Sequence, residues 1–349
     1  MGITKLNSVL KSYGEEEIFI EIDSKYFKGK TIAIDAQWKF TAIKSMLVKN
    51  EMQKYLDFKT GKYDPGVMRN KLYADAFYNY SLWLSRGITP LYVFDGPPPD
   101  AKLLTRNARI SSRVKYQEKR DNMLEEMKKS KFIMTTEKEL EFVKYCKYSV
   151  GFSRDESEGL IKFLQSIGAP CLVSTTEGEK LCCMLAKEKK YPVHSIDTDC
   201  IAYGAPLLIT DAGVGTYKCV YYKNVLKQME LSRHKFLEFC VLLGCDYNKG
   251  VSLKKAEEII YTYGGLDNYV KKFNQLGFDT KINVETINMK VSLELFKDVS
   301  SDEITDKVKS SQTHTVTAVD KKEVLKIMRK YGIDTKNTKF FDLVEKFQQ

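Results

Sequence analysis

The chain has 349 residues, of which 43% are hydrophobic, so it is long enough for one large or two ordinary domains with a sizeable core. Lysine and arginine total 56 against 46 aspartate and glutamate. The net charge of +10 favours nucleic acid or another polyanion as the partner, although a merely basic protein fits the charge equally well. No apolar run reaches the ~20 residues that span a bilayer, and the N-terminal segment lacks a signal-peptide pattern. Eight cysteines without a Cys-x-x-Cys pair argue against a thiolate zinc site and fit buried, reduced thiols in an intracellular protein.

Short apolar runs predict five buried β-strands, which are Thr31–Ile34, Leu91–Phe94, Cys171–Val173, Val193–Ile196 and Leu207–Ile209. Helical patterns separate them, at about 36–56, 68–86, 156–167 and 177–190. Short apolar strands that alternate with helices indicate an α/β fold with a parallel sheet. In open sheets of this kind, ligands bind beyond the carboxyl ends of the strands.

A basic stretch without an apparent strand follows Pro97-Pro98-Pro99. Between Lys102 and Lys131 there are ten Lys or Arg and four Asp or Glu. Five basic residues return to one helical face: Lys102, Arg106, Arg109, Arg113 and Arg120. Such a stripe is either a solvated helix face or a phosphate-binding surface, and its position just after an acid-tipped strand favours phosphate contact.

The chain is predicted to be mostly helical after about residue 230. A tight turn at Asp246–Ser252 precedes a helix that starts at Leu253. Residues 299–317 are rich in Ser and Thr and predict a surface loop. Closing helices are predicted at Val324–Met328 and Phe340–Phe347.

Seven acids stand at strand ends, helix starts or turns. They are Asp35, Asp95, Glu177, Glu179, Asp197, Asp199 and Asp246. Any one of them alone fits a cap or a turn, and Glu177-x-Glu179 after three hydroxyl residues has the pattern of a helix start. Together they would repel each other unless a positive charge lay among them. Oxygen-only ligand sets suit Mg²⁺ or Mn²⁺, so the sequence predicts a site for hard divalent cations.

Longer motifs carry these acids in a fixed order. The chain begins Met1-Gly2-Ile3, continues with Ala33-Ile34-Asp35-Ala36 and then with a run from Gly87 to Pro99 that contains Asp95. Glu177-x-Glu179, the run Asp197–Gly204 and the run Leu242–Tyr247 follow. In this order the chain resembles the flap endonuclease branch of the structure-specific 5′-nucleases, which is related to the xeroderma G nucleases and exonuclease 1. The resemblance extends from residue 1 to about residue 345.

The resemblance implies a PIN-like fold, in which helices flank a central, mostly parallel sheet. It also implies a helical arch that gates the 5′ strand and a C-terminal helix-two-turn-helix region. One integrated nuclease core of four regions is therefore expected: an N-terminal nuclease region at 1–100, the arch at 101–150, an internal nuclease region at 151–230, and the helix-two-turn-helix with closing helices at 231–349.

The family's functional residues map onto this chain by motif position. The seven acids match its metal-binding, catalytic carboxylates, and Lys102 and Arg109 match the two arch residues that orient the scissile phosphate. Gly2 matches a residue whose amine lies near the active site after Met1 is removed. Two Mg²⁺ ions are implied, for which Mn²⁺ is expected to substitute. Further DNA contacts are expected at Arg106, Arg113, Gly250, Ser252, Lys254 and Lys255.

The implied activity is structure-specific 5′ flap cleavage with 5′→3′ exonuclease activity, by two-metal hydrolysis of DNA in replication and repair. The expected partner is branched or nicked duplex DNA with a 5′ flap, and a monomer without a membrane anchor is expected. The nucleus is the expected location, or a cytoplasmic replication site if the protein is viral. Three alternatives remain open: an exonuclease 1-like enzyme, a non-catalytic scaffold that binds DNA junctions, and an RNA-directed PIN nuclease.

The chain departs from the family in three places. The family's base-stacking aromatic is replaced by Thr41, so either Trp38 or Phe40 takes over the stacking or the substrate preference has changed. The turn at Gly250–Ser252 is shorter than the family's Gly-x-Gly turn, which puts its K⁺ ion in doubt. No sliding-clamp peptide is present, because Phe340-Phe341 lacks the preceding Gln-x-x-Leu and fits a closing helix, so clamp binding through such a peptide is not expected.

Overall fold

The structure is a computed structural model, and it describes residues 2–55, 65–97, 100–129, 132–276, 282, 284–297, 316–336 and 339–347. The chain divides into two compact units, each built from several separate segments. The first unit comprises 1–35, 95–102 and 174–312, and the second comprises 36–94, 103–173 and 313–349. The predicted α/β class is confirmed, because the seven described strands belong to a mixed sheet flanked by helices.

The first unit contains five strands in the spatial order β1-β7-β6-β5-β2. Strand β2 runs parallel to β5, with Ala33 opposite Val193, and β5 runs parallel to β6, with Val193 opposite Leu208. Strand β7 pairs antiparallel with both β6 and β1. The strands are β1 (Phe19–Asp23), β2 (Thr31–Asp35), β5 (Val193–His194), β6 (Leu207–Ala212) and β7 (Thr216–Tyr221).

Helices surround these strands in the same unit. Those before β7 are α1 (Leu6–Ile18), α7 (Gly178–Lys189) and α8 (Asp199–Ala202), with short 3₁₀ turns at Ser24–Phe27 and Asp100–Lys102. After β7 come α9 (Tyr222–Gln228), α10 (Arg233–Leu243), α11 (Leu253–Glu257), a π-helical turn (Glu258–Thr262), α12 (Leu266–Gln275), α13 (Val284–Ile287) and α14 (Met289–Leu295).

The second unit contains the parallel pair β3 and β4, in which Tyr92 lies opposite Cys171. Phe40, which is fully buried, packs against Tyr92 and Phe94 with ring centroids 5.5 and 6.1 Å away. The elements are β3 (Thr89–Phe94), β4 (Cys171–Val173), α2 (Ala36–Tyr55), α3 (Pro65–Ser85), α4 (Leu103–Met127), α5 (Thr136–Ser149), α6 (Arg154–Ser166) and two closing helices (Lys321–Lys330 and Lys339–Lys346).

The five predicted strands are all present, and the predicted helices match α2, α3, α6 and α7 within a few residues. Strands β1 and β7 were not predicted. In both strands exposed polar residues interrupt the buried or half-buried ones, so neither has the pattern of a continuous apolar run. The closing helices are confirmed, and Phe340 and Phe341 are buried there, which agrees with their assignment to packing.

Other expectations are settled only in part. The predicted surface loop at 299–317 lies almost wholly on residues 298–315, outside the described part of the chain. All eight cysteines are free, and all but the half-buried Cys245 are buried. Within the described residues, no helix is both long and apolar enough to cross a membrane. The division into four regions stays a prediction.

Candidate metal centre

The ends of strands and helices bring all seven predicted acids into the first unit. Asp35 is the last residue of β2, and Asp95 follows β3. Glu177 and Glu179 stand at the N-terminus of α7, and Asp246 follows α10. Asp197 and Asp199 lie between β5 and the first turn of α8.

Three of these acids converge closely enough to hold one metal ion. Glu179, Asp197 and Asp199 each offer a carboxylate oxygen, and these three oxygens lie within 4.8 Å of one another. Glu179 and Asp199 are buried, and Asp197 is half-buried. Oxygen atoms from carboxylates are the ligands preferred by Mg²⁺ and Mn²⁺, so the trio has the chemistry of a hard-cation site.

Asp199 gives the strongest indication that a cation belongs here. It is fully buried, and neither of its carboxylate oxygens accepts a hydrogen bond from any described residue. Burial, reinforced by the negative charges of Asp197 and Asp246, raises the pKa of Asp199 well above its ordinary value. A buried carboxylate without a partner is unfavourable, and a bound divalent cation would remove the penalty. The residues therefore fit the implied metal.

The same crowding affects Glu179. Burial raises the pKa of Glu179 well above its ordinary value, and the charges of Glu177, Asp95 and Asp35 act in the same direction. These interactions show that the acids outside the trio lie near enough to influence it electrostatically. Seven carboxylates thus form one cluster rather than separate helix caps, which was the competing interpretation of the sequence.

Lys102 is the cation that the chain itself places among these acids. Its ammonium contacts Glu177 directly, lies 3.0 Å from Asp246 Oδ2 and lies 3.9 Å from Glu179 Oε1. Burial alone would lower the pKa of Lys102, but the charges of Glu179, Glu177 and Asp246 raise it above its ordinary value. Lys102 therefore stays protonated and offsets part of the negative charge.

Hydrogen bonds hold several of the acids in place. The Gly178 amide donates to Asp95 Oδ1 at 2.8 Å, and the Tyr247 hydroxyl donates to Glu177. The buried Ser195 hydroxyl donates to Asp35 Oδ2 at 2.8 Å. The sequence did not single out Ser195 or Tyr247 as functional residues. Tyr247 is next to Asp246 in its motif, and Ser195 is two residues before Asp197, so closeness to these acids in the sequence is the signal that could have drawn attention to them.

Gly2 lies against the cluster, as its motif position implied. An added Cβ at Gly2, where φ is +82°, would lie 2.1 Å from Asp197 Oδ1, so only glycine fits without displacing this acid. The N-terminal segment is held by the Thr198 hydroxyl, which donates to Ile3 O at 3.3 Å, and by the Thr4 amide, which donates to Gly244 O at 2.9 Å.

The turn between α10 and α11 requires glycine at position 250. An added Cβ at Gly250 would lie 2.2 Å from the carbonyl carbon of Leu243, so the backbone packs too closely for any side chain. Ser252 caps α11 by accepting from the Lys255 amide, and Lys255 Nζ lies 2.6 Å from Glu258. Lys254 is exposed. Ser252 is exposed as well, so Ser252 and Lys254 are the more accessible of these four predicted DNA contacts.

The predicted basic stripe is divided by the structure. Lys102 lies in a 3₁₀ turn within the first unit, whereas Arg106, Arg109, Arg113 and Arg120 lie on α4 of the second unit. Arg106 is exposed and Arg109 is half-buried. An added Cβ at Gly151 would lie 2.0 Å from Arg113 Nη1, and Arg120 donates to Ser149 Oγ at 3.3 Å. The side chains of Arg113 and Arg120 therefore also pack near the C-terminal end of α5.

Two segments of the chain that carry the acid cluster match known protein-family models. The XPG N-terminal domain matches residues 1–116, and the XPG I-region matches residues 168–246. The two segments together contain all seven acids. Flap endonuclease 1 of Debaryomyces hansenii is 30% identical over 280 residues, which cover 78% of this chain and 69% of that protein.

Solved structures show the same fold. Flap endonuclease-1 from Methanococcus jannaschii has a TM-score of 0.59 at 22% identity, with 96% of each chain covered. The catalytic core of Rad2 in complex with DNA substrate has a TM-score of 0.56 at 17% identity, with 95% of this chain and 94% of that chain covered. Since both XPG regions match and a flap endonuclease relative reaches this identity over most of its length, the chain belongs to the flap endonuclease family of XPG-type nucleases.

Proposed function

We propose that the chain is a structure-specific 5′ flap endonuclease with 5′→3′ exonuclease activity, which hydrolyses DNA phosphodiester bonds. The observation that carries this proposal is the convergence of Glu179, Asp197 and Asp199, with both oxygens of buried Asp199 lacking a partner among the described residues. A scaffold without catalysis has no reason to retain such repulsion. Family membership supports DNA as the substrate.

Two Mg²⁺ ions per site are proposed, with Mn²⁺ as a substitute. The trio of Glu179, Asp197 and Asp199 would hold one ion. The remaining acids would complete the site for a second ion, since Glu177, Asp95 and Asp35 lie within electrostatic reach of Glu179. Asp246 is proposed to serve the trio, because its charge acts on Asp199.

Each residue has a defined part in the proposed hydrolysis. Divalent ions held by these carboxylates would supply positive charge that lowers the pKa of the attacking water and stabilises the attacking and leaving oxygens. The seven carboxylates fix this charge at the strand ends. Lys102, protonated and adjacent to Glu177, donates hydrogen bonds to the scissile phosphate as negative charge develops there. Arg109 is proposed to assist from α4. The products carry a 5′-phosphate and a 3′-hydroxyl.

Contacts that hold the DNA are proposed outside the metal centre. Arg106 on the exposed surface of α4 and Lys254 at the start of α11 would contact phosphates, and Trp38, which is half-buried, is the better candidate for stacking on a base. Phe40 is excluded because it belongs to the core. The monomeric state and the location in the nucleus or at a cytoplasmic viral replication site stay predictions. So do the doubt about the K⁺ site and the expected lack of clamp binding through a C-terminal peptide. Weaker proposed contacts are Gly2, Arg113, Gly250, Ser252 and Lys255.

The proposal is tested by cleavage of 5′-labelled substrates of one common sequence. The set comprises a DNA double flap, a nicked duplex, a 5′ overhang, single-stranded DNA and single-stranded RNA, each with Mg²⁺, Mn²⁺ or EDTA. We expect metal-dependent release of the flap, with a cut one nucleotide into the duplex, and slower stepwise removal of nucleotides from the nick.

Other outcomes would move the protein to another class. Stepwise removal from nicks and overhangs with flaps left intact would indicate an exonuclease 1-like enzyme. Preferential cleavage of the RNA would indicate an RNA-directed nuclease. Tight binding of the double flap without cleavage in either metal would indicate a scaffold and overturn the proposed activity.

A further inference from the structure

Ser195 joins two acids of the metal centre that come from different strands. It follows β5 directly and is fully buried. Its hydroxyl lies 2.8 Å from Asp35 Oδ2 at the end of β2, and 3.0 Å from the backbone nitrogen of Asp197. Ser195 therefore lies at the centre of a short hydrogen-bonded connection between the two metal-binding segments.

The chemistry of the hydroxyl fixes the direction of both bonds. An ionised carboxylate only accepts, so the single hydroxyl proton must be donated to Asp35. The oxygen lone pair is then left to accept from the Asp197 amide. The connection continues, because Asp197 Oδ1 accepts from the Asp199 amide at 3.0 Å. The Ser195 hydroxyl thus links the Asp35 carboxylate to the backbone of the Asp197–Asp199 segment.

We propose that Ser195 is a positioning residue that holds Asp35 and Asp197 in the geometry needed to bind the divalent ions. Carboxylates that ligate metals are typically oriented by a second layer of hydrogen bonds, and loss of such a partner weakens metal binding. The requirement is strict here because repulsion within the cluster would turn an unrestrained carboxylate outward. The inference rests on the proposed function, since it concerns the same metal centre.

The backbone around Ser195 is fixed independently of its hydroxyl. The Ser195 amide donates to Ile209 O at 3.2 Å, which extends the pairing of β5 with β6. Removing the hydroxyl therefore leaves the strand pairing intact and acts on the two aspartates. A substitution that only weakened the fold would lower thermal stability in EDTA. Loss of a positioning residue would instead lower the affinity for the metal while the metal-free protein stays folded.

The test compares Ser195→Ala, Ser195→Thr and the wild type. Calorimetric titration with Mn²⁺ in the absence of DNA measures metal affinity directly, and thermal unfolding in EDTA verifies the fold. For Ser195→Ala we expect metal affinity to fall by about 10- to 100-fold. The Mg²⁺ concentration for half-maximal double-flap cleavage should rise in parallel, while KM for the flap at saturating Mg²⁺ stays near the wild-type value. Ser195→Thr, which keeps the hydroxyl, should restore most of the affinity.

Ser292→Ala is the matched control. Ser292 is equally buried in the same unit, and its hydroxyl has no hydrogen-bond partner among the described residues. The same loss of one oxygen there should leave Mn²⁺ affinity unchanged. This comparison separates the hydroxyl's role beside Asp35 from the general effect of replacing a buried serine.

Three results distinguish the claims. Wild-type Mn²⁺ affinity in folded Ser195→Ala would overturn the role of Ser195 and leave the proposed function intact. Equally weak binding in folded Ser195→Ala and Ser195→Thr would also overturn it, because the hydroxyl would not be responsible. A wild-type protein that binds no Mn²⁺ would instead overturn the proposed metal centre itself.

Discussion

Two acids, one in each unit, have surroundings with opposite effects on their pKa values. In the second unit, Glu156 on α6 lies 2.5 Å from Lys44 Nζ and accepts from the Ser153 amide at 2.8 Å, which completes a capping box. Burial alone would raise the pKa of Glu156, but these hydrogen bonds outweigh it and lower the pKa. In the first unit, Asp199 is fully buried, and its carboxylate has no partner among the described residues.

The difference indicates which acids serve stability and which serve function. An acid like Glu156, with a cation and an amide donor, stabilises the fold around it. An acid like Asp199 destabilises the metal-free fold, and its presence is explained if the folded protein binds a cation there. Lys102 forms ion pairs with Glu177 and Asp246 but none with Asp199 among the described residues, and its charge lowers the pKa of Asp199 without cancelling the effect of burial. The negative charge that remains uncompensated is the charge that a bound divalent ion would neutralise.

The largest expected effect comes from Asp199→Asn. Loss of one ligand charge should reduce flap cleavage by about 1,000-fold or more, because metal ions contribute several kcal/mol of charge stabilisation to the transition state. Binding of the double flap should stay within several-fold of wild type. Single-turnover cleavage and fluorescence anisotropy measure the two quantities. Asp211→Asn, at an exposed position of β6, is the matched control, and wild-type cleavage by Asp199→Asn would refute the ligand assignment.

Lys102→Ala should separate metal binding from catalysis. Removal of the ammonium from beside Glu177 and Asp246 should slow single-turnover cleavage by about 100- to 1,000-fold. The reason is that the negative charge developing on the scissile phosphate loses a hydrogen-bond donor. Without DNA, however, Mn²⁺ should bind more tightly than to wild type, because the ion no longer competes with Lys102 for the carboxylates. Lys28→Ala, at an exposed position of the same unit, should change neither quantity. Weaker Mn²⁺ binding by Lys102→Ala would contradict this role.

The comparison also predicts that Asp199, which metal binding requires, lowers the stability of the metal-free protein. In EDTA, Asp199→Asn should raise the free energy of unfolding by about 1–2 kcal/mol, because burial raises the folded-state pKa of Asp199 above its unfolded value, which disfavours the folded state at neutral pH. Addition of Mg²⁺ should stabilise the wild type more than the variant and narrow the difference. Urea unfolding with and without Mg²⁺ measures both. A variant less stable than wild type in EDTA would show that Asp199 is already satisfied without metal.

The smallest effect is expected at Glu156. Because its folded-state pKa lies below the unfolded value, ionised Glu156 stabilises the protein above the unfolded pKa, and this contribution is lost as the pH falls through the lowered pKa. Glu156→Gln should therefore lower the free energy of unfolding by about 1 kcal/mol at pH 7, with the difference shrinking below about pH 4.

Glu158→Gln on the same helix is the control for that measurement. Among the described residues Glu158 pairs with Arg154 alone, whose side chain is 87% exposed, so loss of the Glu158 charge should change stability by less than about 0.5 kcal/mol. A difference between wild type and Glu156→Gln that stayed constant with pH would mean that the charge of Glu156 is not what stabilises α6.

The sequence predicts the strands that carry the acids because each is a buried apolar run with a carboxylate at its end, as β2 with Asp35 shows. The half-exposed β1 and β7 leave no such signal. The sequence pattern predicts Lys102 as one member of a helical stripe, yet Lys102 lies before α4, and its ammonium contacts the carboxylates. Ser195 could not be identified from residue type, because a serine's role depends on what its hydroxyl meets across the sheet.

Anomalous diffraction from crystals soaked in Mn²⁺ tests the central claim most directly. The account predicts two peaks about 4 Å apart within the acid cluster, one of them bounded by Glu179, Asp197 and Asp199, as two-metal hydrolysis requires. It also predicts that the Lys102 ammonium withdraws from Glu177. An acid cluster without a peak while Mn²⁺ binds elsewhere on the protein would contradict the account.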